Sequence, residues 1–191
     1  HKKAITLDPS FAEAHCNLGI TLQELERFDE AIVSYNKAIA LKPDYAEAHS
    51  NLGNVFKELG RLNDALASHK KAITLDPSFA EAHCNFGLTL HELGKFDKAI
   101  KFFKKAIELN PNFATAHYNL SYTFLSYGML KEGLNKYEWR WQTPELKLQQ
   151  RKFKQPLWDG KTTLKDKTIL LWCEQGIGDT MNWSSCLSIV T

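Results

Sequence analysis

Across residues 46–59, the positions that face a core fall at Ala46, His49, Leu52, Gly53, Phe56 and Leu59, with polar residues between them. Steps of three and four are the period of one face of an α-helix. Gly60 then offers a residue free to take positive φ, which ends the helix. A second face follows over 62–75, through Ala65, Leu66, His69, Ala72 and Ile73. It stops at Asp76-Pro77, because proline disfavours helix in the residue before it. The stretch thus predicts a helix pair, about Ala46–Leu59 and Leu62–Leu75.

That pair is one of a series. Pro9, Pro43, Pro77 and Pro111 stand 34 residues apart, and the phrases FAEAHCNLGITLQEL, YAEAHSNLGNVFKEL, FAEAHCNFGLTLHEL and FATAHYNLSYTFLSY begin at 11, 45, 79 and 113. A fixed period of this length predicts a solenoid, since one helix pair cannot bury its apolar face alone. Contacts in such an array run between neighbours, and the extended surface serves binding. The units read as a half repeat at 1–11, full repeats at 12–45, 46–79 and 80–113, and a degenerate one at 114–142. Gly19, Gly53 and Gly87 sit in the middle of the first helices, where glycine costs roughly 1 kcal/mol against alanine. Their recurrence, with Ala31, Ala65 and Ala99 on the second helices, predicts close helix–helix approach.

Charge adds little to this picture. The 191 residues carry 24 basic and 22 acidic side chains, a net charge of +2. That balance gives no field for nucleic acid or an anionic membrane, and no apolar run approaches the ~20 residues of a membrane span. Cys16 and Cys84 lie two units apart, too far for a disulfide. With Cys173 and Cys186 forming no paired motif, free thiols point to the reducing cytoplasm. His15, His49, His83 and His117 share one repeat position, a unit apart, so they read as packed, hydrogen-bonded side chains and no metal site is expected. No cofactor is expected for the array.

The spacing of Leu52, Gly53, Phe56, Ala65, Ala72 and Pro77 resembles the tetratricopeptide repeat (TPR) over residues 1–142. The resemblance implies an all-α, right-handed superhelix of antiparallel helix pairs whose first helices line a concave groove. Unit four departs from the pattern, with Ser121 for the glycine and Gly133 and Arg140 for the two alanines. The family's groove positions carry Asn17, Asn51, Asn85 and Asn119, similar to the asparagine ladder of the O-GlcNAc transferase repeats. A carboxamide has both donor and acceptor, so it can pair with an extended peptide backbone; it can equally bond the neighbouring helix. Asn54, Tyr118 and Tyr122 complete the expected groove. Glu13, Glu47 and Glu81 sit where they complement a helix dipole. No lysine or arginine set for gripping a peptide carboxylate is present.

All five tryptophans follow residue 138, which marks a change of character. YEWRW at 137–141 reads as a cap over the last unit, and 143–167 as a connector. TILLWC at 168–173 predicts a buried strand, followed by a glycine-bearing turn and a helix from Met181. Gly176, Gly178 and Thr180 would form an anion-binding turn at that helix start. KTILLWCEQGIGDT, after YEWRW and PLWDG, resembles bacterial proteins that join TPR units to a GT-B, heptosyltransferase-like domain. The resemblance implies a nucleotide-sugar donor for a parent enzyme and makes Asp179 a general base; as a helix N-cap, aspartate has a second role at the same place. One strand and one helix make no parallel sheet, so the 191-residue chain is expected to be non-catalytic by itself. Three functions are expected in turn: a protein- or peptide-binding scaffold, the acceptor-recognition part of a glycosyltransferase, or a self-associating module joined through its open ends.

Overall fold

The computed structural model describes residues 1–147. Helix pairs follow one another down the chain: α1 Lys2–Leu7, α2 Ala12–Glu24, α3 Phe28–Leu41, α4 Ala46–Glu58, α5 Leu62–Leu75, α6 Ala80–Glu92, α7 Phe96–Leu109, α8 Ala114–Ser126 and α9 Leu130–Tyr137. A 3-10 turn over Glu138–Gln142 and the short α10, Pro144–Lys147, come after. Each helix packs on the next, and the first helices α2, α4, α6 and α8 also touch their counterparts one unit away. The array is all-α, and no helix among the described residues is long and apolar enough to cross a membrane. The expected strand at 168–173, the Gly176–Gly178–Thr180 turn, Asp179 and the connector beyond residue 147 lie outside the described residues.

The mid-helix glycines make room for a ring. A Cβ on Gly19 would come within 2.6 Å of Tyr35, on Gly53 within 2.5 Å of His69, and on Gly87 within 3.0 Å of Phe103. These three rings occupy one repeat position on the second helices, and each is completely buried. Glycine's cost in helix propensity is thus offset by dense ring packing. Unit four departs from this: its small residue is on the second helix, where a Cβ on Gly133 would come within 2.6 Å of Leu125. Ser121 stands for the glycine, Gly133 for the facing alanine, and the Ser121 hydroxyl donates to the Gly133 carbonyl at 2.8 Å.

Each first helix closes in the same way. The residue after its last turn takes positive φ: 70° at Gly60, 69° at Gly94, 83° at Gly128 and 56° at Glu26. The following amide donates back across five residues, as in Arg61 to Phe56 at 2.8 Å and Arg27 to Leu22 at 2.9 Å. That is the bond of a Schellman cap. Leu59, expected inward, is instead 39% exposed, because the cap swings it off the packed face. Ala48, Ser50 and Val55 are buried where the spacing did not place them; they face the neighbouring unit.

The buried apolar residues fall into two clusters. One joins α2, α3 and α4 around Tyr35 and Leu52; the other joins α6, α7 and α8 around Phe103 and Leu120. Helix α5 supplies neither cluster with a buried member and puts His69 between them. At the far end, α9 stops at Tyr137, the first residue of YEWRW, and a 3-10 turn carries the chain on to Gln142. Arg140, at the alanine position of its siblings, is itself buried. The tighter 3-10 turn lets its guanidinium lie over the Tyr137 and Trp141 rings, 4.2 and 4.5 Å from their centroids. Trp139 stacks on His117 with centroids 3.8 Å apart and planes 8° from parallel, so YEWRW covers the last first helix.

Candidate functional site

The first helices form one face of the array, and a depression of about 630 Å³ opens on it between α4, α6 and the start of α8. Asn51, Asn54 and Asn85 line it, with Ser50, Cys84, Tyr45, Phe79 and Phe113. The structure thus brings three of the expected groove residues together. Asn17 is exposed one unit earlier. Asn119 and Tyr118 are half-buried one unit later, Tyr118 with its ring 6.2 Å from that of Tyr137. Tyr122 is exposed and leans on His91, with ring centroids 5.1 Å apart.

The ladder asparagines bond backwards along the array. Nδ2 of Asn51 donates to Cys16 Sγ at 3.9 Å, that of Asn85 to Ser50 Oγ at 3.4 Å, and that of Asn119 to Cys84 Sγ at 3.7 Å. Each contact spans 35 residues and ties one unit to the one before. The structure therefore contains the neighbouring-helix bond weighed from the sequence. It spends only one donor per side chain: among the described residues, Oδ1 of Asn51, Asn85 and Asn119 has no partner. The Ser50 hydroxyl accepts from Asn85 and has no acceptor for its own proton among the described residues. Ser50 is 1% exposed, so this is a buried donor at the edge of the depression.

The charges of the depression are all negative. Glu47, Asp76 and Glu81 line it, and no lysine or arginine does. Sequence reasoning missed Asp76, although its repeat register held a signal. Lys42 occupies the same position one unit earlier and pairs with Glu13 at 3.3 Å; Asn110 occupies it one unit later. Asp76 uses Oδ1 to accept from the Ser78 amide at 2.9 Å and the Ser78 hydroxyl at 2.6 Å, which lowers its pKa. Burial pushes the Tyr45 phenol well above its usual range, and the Cys16 and Glu47 charges add to the shift. Burial likewise raises the Cys84 thiol to about 12, so neither group titrates near neutrality.

The histidine series is structural. Nε2 of His15, His49, His83 and His117 donates to the carbonyl of Pro9, Pro43, Pro77 and Pro111 at 3.1, 3.3, 3.0 and 2.9 Å. Each ring thereby clips the turn before a first helix to the body of that helix. Among the described residues no group of three or more His, Cys, Asp or Glu is placed to hold a metal ion, and Cys16 and Cys84 are free thiols.

Family profiles match this chain from residue 2 to 136. A profile described as TPR repeat matches 22–60 and 53–94. Two described as tetratricopeptide repeat match 80–113, and 2–33 with 102–136. Among solved structures, the chain is similar to MamA, at 27% identity and a TM-score of 0.64, over 77% of this chain and 86% of that one. It is similar to pilF of Pseudomonas aeruginosa, at 26% identity and a TM-score of 0.65, over 72% of this chain and 63% of that one. The fold also matches the first TPR of Spaghetti (RPAP3) bound to the HSP90 peptide SRMEEVD, at 23% identity and a TM-score of 0.59, over 61% of this chain and 93% of that one. No curated relative matches the sequence.

Proposed function

The chain belongs to the tetratricopeptide-repeat family over residues 2–136, and on that premise we propose that it is a scaffold that binds an extended segment of another protein along its first-helix face. The observation that carries this is the ladder. Asn51 and Asn85 hold unspent carboxamide oxygens at the edge of an open depression, one unit apart, and Asn119 repeats the arrangement. A peptide backbone offers an N–H at every residue, so such a row recognises extended chain with little regard to its side chains. MamA and the RPAP3 repeat share the architecture, and the latter is seen with a peptide bound.

The test is selection of short random peptides on the 191-residue chain, followed by Asn51→Ala with Asn85→Ala. Each lost Nδ2 bond is long, so the fold persists with a loss of no more than about 1 kcal/mol per site. Selected peptides lose about tenfold or more in affinity for the double variant and none for Val33→Ala, which lies exposed on α3. Equal affinity for the double variant would sink the reading.

A second reading rests on the resemblance of KTILLWCEQGIGDT to the opening of a GT-B domain. In it the array presents an acceptor protein to a sugar-transfer site, with Asp179 as the base and a nucleotide sugar as donor. In a longer chain that holds the complete transferase-like domain, Asp179→Ala abolishes transfer and leaves peptide binding intact. An unchanged transfer rate removes Asp179 from the chemistry.

A further inference from the structure

In three successive units the first turn of the first helix and the C-cap of the second helix carry the same pair of positions, and the chain fills them differently. At the first, Glu13 meets Lys42 and the charges cancel. At the third, Glu81 corresponds to the neutral Asn110. At the second, Glu47 corresponds to Asp76, so two carboxylates share a place where the neighbouring unit keeps an ion pair. Both line the 630 Å³ depression, Glu81 joins them from the next helix, and no cation lines it. Lys57, on the same helix as Glu47, is turned to Glu58 at 3.1 Å and Glu92 at 3.7 Å. Three carboxylates on one concave face with no cation among them set a negative potential there, which favours a cationic side chain.

A second feature of the same depression points to what carries that cation. The buried Ser50 hydroxyl there lacks an acceptor, and Asn51 and Asn85 there lack donors, among the described residues. An extended backbone supplies a carbonyl for the first and amides for the other two, which a free metal ion or a polyamine does not. We infer that the groove between the second and third units selects an extended protein segment with a lysine or arginine side chain set over Glu47, Asp76 and Glu81. The inference rests on the scaffold reading above and adds the charge of the partner to it. It also separates this groove from an acidic ligand such as SRMEEVD, whose carboxylates the three acidic side chains would repel.

The experiment uses the 191-residue chain and fluorescein-labelled peptides: alternating Ser-Ala peptides of one length with a central pair of Arg, Gln or Glu, and SRMEEVD. Affinities are read by anisotropy at low and high salt for the native chain, for Glu47→Gln with Asp76→Asn, and for Asn51→Ala with Asn85→Ala. Asp76→Asn copies Asn110, which accepts from the Asn112 amide at 3.2 Å, so the turn is kept. Asp76→Lys, copying Lys42, is a second route to the same loss of charge.

The Arg peptide binds about tenfold tighter than the Gln peptide, and that advantage fades as salt rises from about 0.05 M to about 0.5 M. The charge variants remove the advantage and leave the Gln peptide's affinity unchanged. Equal binding of the Arg and Gln peptides, preference for Glu or SRMEEVD, or an Arg advantage that survives the charge variants overturns the inference. If the asparagine variant still weakens every peptide in that event, the scaffold reading survives; if it changes none, both fall. Failure of every peptide to bind overturns both.

Discussion

His69 occupies a ring slot that its siblings fill with Tyr35 and Phe103, yet neither of its ring nitrogens has a partner in the buried interior. Burial, with a smaller contribution from Lys57, pushes its pKa down to about 4. In the unfolded chain the ring protonates near its ordinary value of about 6.5. As pH falls the unfolded state therefore takes up the proton first. The stability present above about 6.5 is lost progressively down to about 4, to a total on the order of 3 kcal/mol. His69→Phe, which copies Phe103, flattens this acid limb and raises stability at pH 7 by about 1–2 kcal/mol, since two orphaned polar atoms disappear; urea melts at several pH values read both. Gly53→Ala acts the other way. Its Cβ would meet the His69 ring at 2.5 Å, and overpacking costs about 1–3 kcal/mol, beyond alanine's gain in helix propensity. A melt in which that variant is more stable than the native chain would contradict the ring-slot account. The slot was half legible in the sequence. The repeated glycine announced a close approach, but a periodic pattern says only that His69 faces inward, not that both nitrogens lack a partner.

Among the elements, the helix ends divide what the sequence shows from what it hides. Gly60, Gly94 and Gly128 announce their caps. Glu26 takes the same left-handed conformation with φ of 56°, and nothing in its residue type discloses it; only the 34-residue register does. Since a side-chain-bearing residue loses roughly 1–2 kcal/mol there, Glu26→Gly is expected to stabilise the chain by about 1 kcal/mol in a thermal melt, and Gly60→Ala to destabilise it by a similar amount. Element boundaries α4 and α5 agree with the spacing because caps and proline mark them directly. The end of α9 falls in YEWRW, where the large aromatics mark it, but the 3-10 turn that follows was not legible. It depends on Arg140 finding two rings to lie on, and the apolar period does not encode such a contact. The groove shows the same division: Asn51 and Asn85 stand out by recurrence, whereas Asp76 carries meaning only because it lines one depression with Glu47 and Glu81.

At the scale of the whole array, stability is a sum over units and the interfaces between neighbours. The two apolar clusters meet on either side of α5, where His69 replaces a larger ring. The middle of the array is therefore its weakest joint in acid. Hydrogen exchange at a pH of about 4.5 accelerates first in α4 and α5, while α8 stays protected; uniform acceleration would show a single cooperative unit instead. The proline–histidine clips lead somewhere else. Each is made within six residues, so the turn that enters every first helix brings its own fastening, beside the contacts that tie neighbouring units. Residues 1–17 and 69–85 are identical, so the same local fastening is built twice, two periods apart. The frame thus repeats while the character of each groove rests on single side chains, as Lys42, Asp76 and Asn110 show.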